Sequence, residues 1–281
     1  MKGVIVAAGY GTRFLPVTKT IPKEMLPLYD KPIIDFILDE FEEAGIKDVI
    51  IVTSRRKKVL EDYLDKEVEL ENYFRENKKV ELLNFIKPRS MNFYFVRQRE
   101  MKGTGDALLG IKNLVSEDSF VVAYPDDVVL SKPGLTKRLI DLYSKTNKNV
   151  LAVRVENENL SRFGVIKPEY DGEFLFVQEI VEKPPVDKAP SNLVSIGRYL
   201  FKKELFDLLQ KDFYNHKGGG EFYHINAINT MCKKKDVLAF EIDGMMLDTG
   251  DLKNYALSFL KYLDFHPEGR EILVSFLNRR K

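Results

Sequence analysis

Between residues 9 and 23 the chain sets two glycines, Gly9 and Gly11, ahead of three cations, Arg13, Lys19 and Lys23. Glycine carries no Cβ, so backbone N–H groups beside it can approach a ligand closely. Bare amides followed by positive charge suit a chain of phosphates. The better-known phosphate motifs do not fit. A Walker A loop ends in Gly-Lys-Ser/Thr, which neither glycine precedes, and the dinucleotide fingerprint needs a third small residue where Phe14 stands. On its own, a Gly-x-Gly is equally an ordinary turn between strand and helix.

Three further places carry acid or base character. Asp126-Asp127 is one, and on local sequence such a pair commonly caps a helix or closes an Asx-turn. At a strand end facing a triphosphate, a carboxylate instead suits Mg2+, a hard ion held by one or two carboxylates and phosphate oxygens. Asp248, in Leu-Asp-Thr-Gly, reads locally as a turn residue. Glu182-Lys183 sets a carboxylate beside a cation, and as a surface pair it would be worth little. The three histidines, His216, His224 and His266, stand near no recognisable nucleophile pattern, so chemistry needing an activated Ser or Cys is poorly served. Attack by a phosphate oxygen on the α-phosphorus of a nucleoside triphosphate needs no such base, because the nucleophile is already an anion. It needs cations, a metal and positioning.

Composition narrows the classes. The 281 residues are 44% apolar, enough for a core, and no segment approaches the roughly 20 apolar residues of a membrane span. The first apolar run is too short for a signal peptide. Cys232 is the only cysteine, so no intrachain disulfide forms and a zinc cluster is disfavoured. Lys and Arg (44) balance Asp and Glu (43), which removes the bulk electrostatic case for nucleic acid. A cytoplasmic protein with neither membrane nor nucleic-acid partners is expected, built as one domain over 1–281.

The elements that must position these groups follow from periodicity. Apolar, β-branched runs predict strands at 3–8, 48–53, 92–97, 120–124 and 150–155. Helical stripes at 33–44 and 136–146 lie between them, with a helix opening after the turn 98–107 and ending near 113. Residues 55–87 are highly charged and read as a mostly helical surface arm. This alternation is that of a doubly wound sheet. Beyond 156 the rhythm changes, with strands at 163–166, 174–181 and 194–201 and no full helices between them, which argues for antiparallel or mixed pairing. A helix at 202–210, a glycine hinge at 218–220, a helix at 221–232, a strand at 237–242, a tight turn at 247–250 and helices at 251–263 and 267–278 complete the reading. Ligands bind outside the carboxyl ends of strands in such sheets. That singles out the 9–13 loop, Gln98 and Asp126-Asp127.

The stretches A-A-G-Y-G-T-R (7–13) and P-K-E-M-L-P (22–27) resemble the sugar-1-phosphate nucleotidyltransferases, and within them the bacterial UTP–glucose-1-phosphate uridylyltransferases. The resemblance runs over roughly 1–263. It implies an α/β fold with a mixed, largely parallel sheet, and transfer of a uridylyl group from UTP to glucose 1-phosphate with Mg2+. It further implies that Arg13 and Lys23 neutralise the triphosphate and that Asp126 and Asp248 hold the metal. Lys183 would position the sugar phosphate. Nucleotide contacts would fall at Ala8, Gly9, Gly11, Thr12, Glu24 and Asp127, with Gln98 and Gly103 against the pyrimidine edge. Sugar contacts would fall at Glu182, at Gly164 in Phe-Gly-Val-Ile and at Gly197 in Ile-Gly-Arg-Tyr, where the backbone would lie against the hexose. Paired terminal helices in 251–281 suggest a homo-oligomer.

Three departures from the family pattern stand out. Tyr124-Pro125 replaces Leu-Ala, Asp106 replaces His, and E-F-Y-H-I-N-A (221–227) replaces E-I-Q-[LI]-T-D-A. The last lies near the sugar side and opens the identity of the hexose. Another pyrimidine nucleotide, a catalytically silent sugar-nucleotide sensor and a nicotinamide dehydrogenase (weakened by Phe14) remain the alternatives.

Overall fold

The computed structural model describes residues 1–216 and 220–279. The first apolar run forms β1 (Lys2–Val6), in which Val4 and Ile5 are fully buried. It ends two residues before the expected boundary: Ala7 donates a last rung to Val52 and the chain then leaves the sheet. The loop that follows is tied down by two-residue strands β2 (Pro27–Leu28) and β3 (Lys31–Pro32). α1 (Ile33–Glu43) buries its stripe through Ile34, Ile37 and Phe41, and Gly45 beyond it takes φ 76°, where a side chain would be strained. β4 (Asp48–Thr53) comes next. The charged arm folds as α2 (Lys58–Leu64), α3 (Val68–Glu76) and a 3-10 stretch at Val80–Phe85.

β5 (Asn92–Arg97) leads to α4 (Thr104–Leu109), shorter than expected because the chain tightens into a 3-10 turn at Lys112–Leu114. β6 (Ser119–Ala123), β7 (Asp127–Leu130), α5 (Leu135–Thr146) and β8 (Asn149–Val155) follow. β9 (Gly164–Asp171), β10 (Phe174–Glu182) and β11 (Leu193–Lys202) are the helix-poor stretch. The chain ends with α6 (Leu205–Asn215), α7 (Ile225–Cys232), β12 (Val237–Glu241), β13 (Met245–Asp248), α8 (Leu252–Phe265) and α9 (Pro267–Asn278).

Among the described residues the main sheet has nine strands in the order β5-β4-β1-β6-β11-β8-β12-β10-β9. β5, β4, β1 and β6 pair in parallel, as do β8 and β12. β11 runs against β6 and β8, and β10 against β12 and β9. The expected mixed, largely parallel sheet is therefore present, wound on both faces. Leu108, Phe206 and Ile228 from α4, α6 and α7 pack on one face, and Phe41 and Leu139 from α1 and α5 on the other.

Three local expectations need correction, and a fourth falls partly outside the described residues. The helix expected at 202–210 starts at Leu205, because Lys202 still belongs to β11 and bonds Asn149 Oδ1 through its N–H. The helix expected from 221 starts at Ile225, since Phe222 spends its backbone on the 102–105 turn: its N–H donates to Lys102 O and its carbonyl accepts from Gly105 N–H. Asp127 and Asp248, both read as turn residues, pair across an extra ribbon of β7 and β13. Of the glycine hinge at 218–220, Gly218 and Gly219 lie outside the described residues.

Candidate active site

Parallel strands present their carboxyl ends together, so the loops after β1, β5 and β6 open on one side of the sheet. After β1 the chain turns through Gly11, left-handed at φ 67°, whose carbonyl accepts from Thr18 Oγ1 at 2.7 Å. A 3-10 turn at Thr12–Phe14 then carries Arg13 toward Gly250, to whose carbonyl its Nη1 donates at 3.4 Å. Around Gly9 the space stays open: a Cβ built there meets nothing within 4 Å. Ala8 is buried beneath it, and Thr12 is exposed.

Lys23 opens a further 3-10 turn, Lys23–Met25, behind Pro22, and its ammonium lies 2.5 Å from Asp126 Oδ2. Asp126 follows β6, and its carbonyl accepts from Thr249 N–H at 2.8 Å and Thr249 Oγ1 at 3.1 Å. Asp127 opens β7 opposite Asp248 of β13. Gly250 sits where the charges meet. A Cβ there would lie 3.1 Å from Asp248 Oδ1, 3.6 Å from Asp126 Oδ2 and 3.8 Å from Arg13 Nη1. Two carboxylates and a guanidinium thus converge on one bare residue.

The electrostatics follow from this packing. Burial pushes the Asp126 carboxyl up, but the charge and hydrogen bond of Lys23 outweigh it and hold Asp126 below the usual carboxylate range. Burial likewise opposes the Lys23 charge, and Asp126 and Glu24 more than restore it. Asp127 is pushed up, first by burial and then by the carboxylates of Asp126 and Asp248, although its Oδ2 accepts from Gly197 N–H at 2.8 Å. The buried Arg198 braces this corner from below: it grips Glu40 of α1 with two bonds of 3.0 Å and donates to Asp127 O at 3.3 Å.

Among the described residues, no group of three or more His, Cys, Asp or Glu side chains could hold a metal alone. The carboxylates of Asp126 and Asp248 still fit a hard divalent ion that shares its coordination with phosphate oxygens. Asp248 is oriented for this by Gly250 N–H at 2.8 Å and Asn254 Nδ2 at 2.9 Å, leaving a second lone pair on each oxygen.

Glu24 turns the other way. It is 1% exposed, and both its oxygens accept from Lys57 Nζ at 2.8 Å, so its carboxylate braces the loop from beneath. Burial pulls the Lys57 pKa down more strongly than Glu24 raises it. Sequence reasoning missed Lys57, because Arg55-Arg56-Lys57-Lys58 reads as a solvated charge run. Gln98, one residue past β5, donates its Nε2 to Gly103 O at 3.0 Å and to Asp106 Oδ2 at 2.9 Å. Gly103 takes φ 101°, and a Cβ there would meet Phe222 O at 2.5 Å.

A cavity of about 380 Å³ is lined both by Arg13, Asp126 and Asp248 and by Glu182, Lys183 and Gly164. Lys183 is left-handed at φ 46°, a conformation uncommon outside glycine. Its ammonium lies 3.3 Å from Glu182 Oε1 and 5.3 Å from the centre of the Tyr223 ring. The two glycines of this wall, Gly164 and Gly197, are closely packed. A Cβ at Gly197 would strike Tyr124 Cβ at 2.6 Å and Asp127 Oδ2 at 2.7 Å, and one at Gly164 would crowd Ile180 at 3.0 Å. The protein's own atoms fill the space a Cβ would take, while both glycines still line the cavity.

Three more residues of the cavity escaped the sequence. Arg162 lies 2.7 Å from Asp251 and 3.9 Å from Asp248. His224 is buried beside Tyr124, the rings 6.3 Å apart and 17° from parallel, with Nδ1 2.7 Å from Thr104 Oγ1. Burial alone lowers its pKa to about 4. Tyr223 completes this wall. The only available signal was that Tyr124, Tyr223 and His224 sit at departures from the family pattern.

Residues 2–264 match the family described as Nucleotidyl transferase. The UTP–glucose-1-phosphate uridylyltransferase of Bacillus subtilis is 40% identical over 98% of this chain and 95% of its own length. A UDP-glucose pyrophosphorylase solved with UDP-glucose superposes with a TM-score of 0.82 at 36% identity, covering 94% of this chain and 99% of that one. A UTP-bound homologue from Acinetobacter baumannii superposes at 0.87 with 34% identity, covering 98% of each. On its loops, its sheet and these likenesses, the chain belongs to the nucleotidyl transferase family.

Proposed function

We propose that this protein transfers a uridylyl group from UTP to glucose 1-phosphate, releasing pyrophosphate and forming UDP-glucose. The observation that carries the reading is the meeting of Arg13, Asp126 and Asp248 at Gly250, beside Lys23, in a cavity also lined by Lys183 and Glu182. The names of the similar proteins support the choice of substrates.

In this reading the loop amides at Gly9 and Gly11 and the charges of Arg13 and Lys23 hold the triphosphate. Lys183 binds the phosphate of the sugar and aims one of its oxygens at the α-phosphorus, in line with the departing pyrophosphate. Glu182 accepts from sugar hydroxyls. The nucleophile is anionic without help, so the main work of the site is to bring two polyanions together. Mg2+, held by Asp126 and Asp248, would supply the remaining charge neutralisation. Lys23 already meets an oxyanion in Asp126, so a phosphate beside it changes its partner and not its charge state. One cytoplasmic domain, acting on small molecules and assembling as a homo-oligomer, is part of the same proposal. In the described residues no helix is long and apolar enough to cross a membrane.

The test is a pyrophosphate-release panel of UTP, dTTP, CTP and ATP against several sugar 1-phosphates. With glucose 1-phosphate the expected order is UTP, then dTTP, with CTP lower than UTP by about two orders of magnitude in kcat/KM. CTP level with UTP would overturn the uridylyl assignment, and no release with any pair would make the chain a sensor. The wall of Tyr124, Tyr223 and His224 favours one second reading, a hexose other than glucose, which the same panel resolves.

A further inference from the structure

Gln98 has a neighbour whose chemistry dictates what its amide can offer a ligand. Its backbone is held by a bond from its N–H to Thr53 O at 2.9 Å, directly after β5. Its side-chain NH2 donates to the Gly103 carbonyl at 3.0 Å and to Asp106 Oδ2 at 2.9 Å. Asp106 stands in the first turn of α4, so its carboxylate is fixed to a helix and not to a mobile loop. A carbonyl and a carboxylate can only accept. Turning the amide by 180° would set its oxygen against two other oxygens and leave its NH2 unsatisfied. The amide therefore has one direction: both hydrogens inward, the oxygen left for whatever binds.

We propose that Asp106 is a positioning residue for base choice, fixing Gln98 as an acceptor that admits a base with a ring N–H at N3 and rejects one with a lone pair there. The inference rests on the reading above that the site takes a pyrimidine nucleotide. Uracil and thymine present N3–H, and cytosine presents a lone pair. The histidine usual at this place in the family does not impose the same direction, because a neutral imidazole nitrogen can donate or accept. The aspartate makes the discrimination one-sided.

The test compares wild type, Asp106→Ala and Asp106→Asn, first by calorimetric binding of UTP, dTTP and CTP and then by kcat/KM. Asp106→Ala leaves Gly103 O as the only inward acceptor, so the UTP-to-CTP preference should narrow about tenfold, chiefly through better CTP binding. The UTP-to-dTTP preference should not move, since both bases show the same N3–H. Asp106→Asn, which keeps an accepting oxygen, should retain most of the wild-type preference. It also serves if the alanine variant does not fold. A general loss for all three nucleotides in both variants, with ratios unchanged, would show a merely structural residue and overturn the proposal. Wild type that prefers UTP over CTP in binding but releases no pyrophosphate would sink the transferase reading and leave this proposal standing. Equal binding of UTP and CTP by wild type would overturn the proposal itself.

Discussion

The two ends of the cavity are stabilised in opposite ways. Around Asp126 and the loop beneath it the charged groups are paired within the fold: Lys23 with Asp126 and Lys57 with Glu24. In the wall beside Tyr223 and Lys183 aromatic rings crowd around His224, whose buried Nε2 has no hydrogen-bond partner among the described residues. Two of the three departures from the family pattern, at 124–125 and 221–227, meet in that aromatic wall through the rings of Tyr124 and His224. The contrast is between charge arranged before a ligand arrives and packing that leaves a polar atom for one. A wired cluster resists substitution at each of its members, because removing one leaves another buried and unpaired. An aromatic wall can be exchanged piece by piece.

Removing charge from the wired end should have the largest effect. Asp126→Asn keeps the shape but leaves Lys23 without its charge partner, so the protein should still fold, with a lowered melting temperature, while pyrophosphate release falls at least about a thousandfold. Normal turnover of this variant at ordinary Mg2+ would reduce Asp126 to a turn residue and erase the contrast. Lys57→Met attacks the same end from beneath, leaving the Glu24 carboxylate buried without a partner. Denaturant unfolding should show a loss of about 3 kcal/mol or more, much of it recovered by adding Glu24→Leu. An undiminished stability would mean that the buried pair braces nothing.

The aromatic end should reveal itself through pH. His224 titrates near 6.5 when unfolded and at about 4 in the fold, so the unfolded chain binds more protons between those values. Its contribution is complete above pH 6.5 and is lost as pH falls toward 4, by up to about 3 kcal/mol. The difference in unfolding free energy between wild type and His224→Gln should carry that slope, and a flat difference would place the imidazole in contact with water. The smallest effects separate the two ends kinetically. Lys183→Met should raise KM for the sugar phosphate about ten- to a hundredfold, whereas Arg13→Met should lower kcat by a similar factor and spare that KM. Identical defects in the two would dissolve the division.

What the sequence made legible tracks how local each cause is. β4 and β5, at Asp48–Thr53 and Asn92–Arg97, lie where the β-branched and aromatic runs put them, and α9 starts at Pro267 as its proline requires. The loop carrying Gly9, Gly11 and Arg13 was legible for the same reason, since its chemistry is written in consecutive residues. β7 and β13 were not. Each has four residues and pairs with a partner more than a hundred positions away, so no window contains both halves of the pattern. Lys57 was hidden because a charge run looks the same whether one member is exposed or buried. The start of α7 was misread because tertiary bonds at Phe222 override a helical stripe.

The ribbon of β7 and β13 also sets when the site can exist. Thr249 and Asp126, joined by two hydrogen bonds, are 123 positions apart, and Asp248 arrives only after every strand of the main sheet. A chain emerging from the ribosome, N-terminus first, can close β1, β4, β5 and β6 and offer its glycine loop long before the second carboxylate has been synthesised. Translation that stops short of Met245 would leave a body with most of its core and half of its carboxylate pair. For this fold, the pair of Asp126 and Asp248 assembles only after every strand of the main sheet has been made.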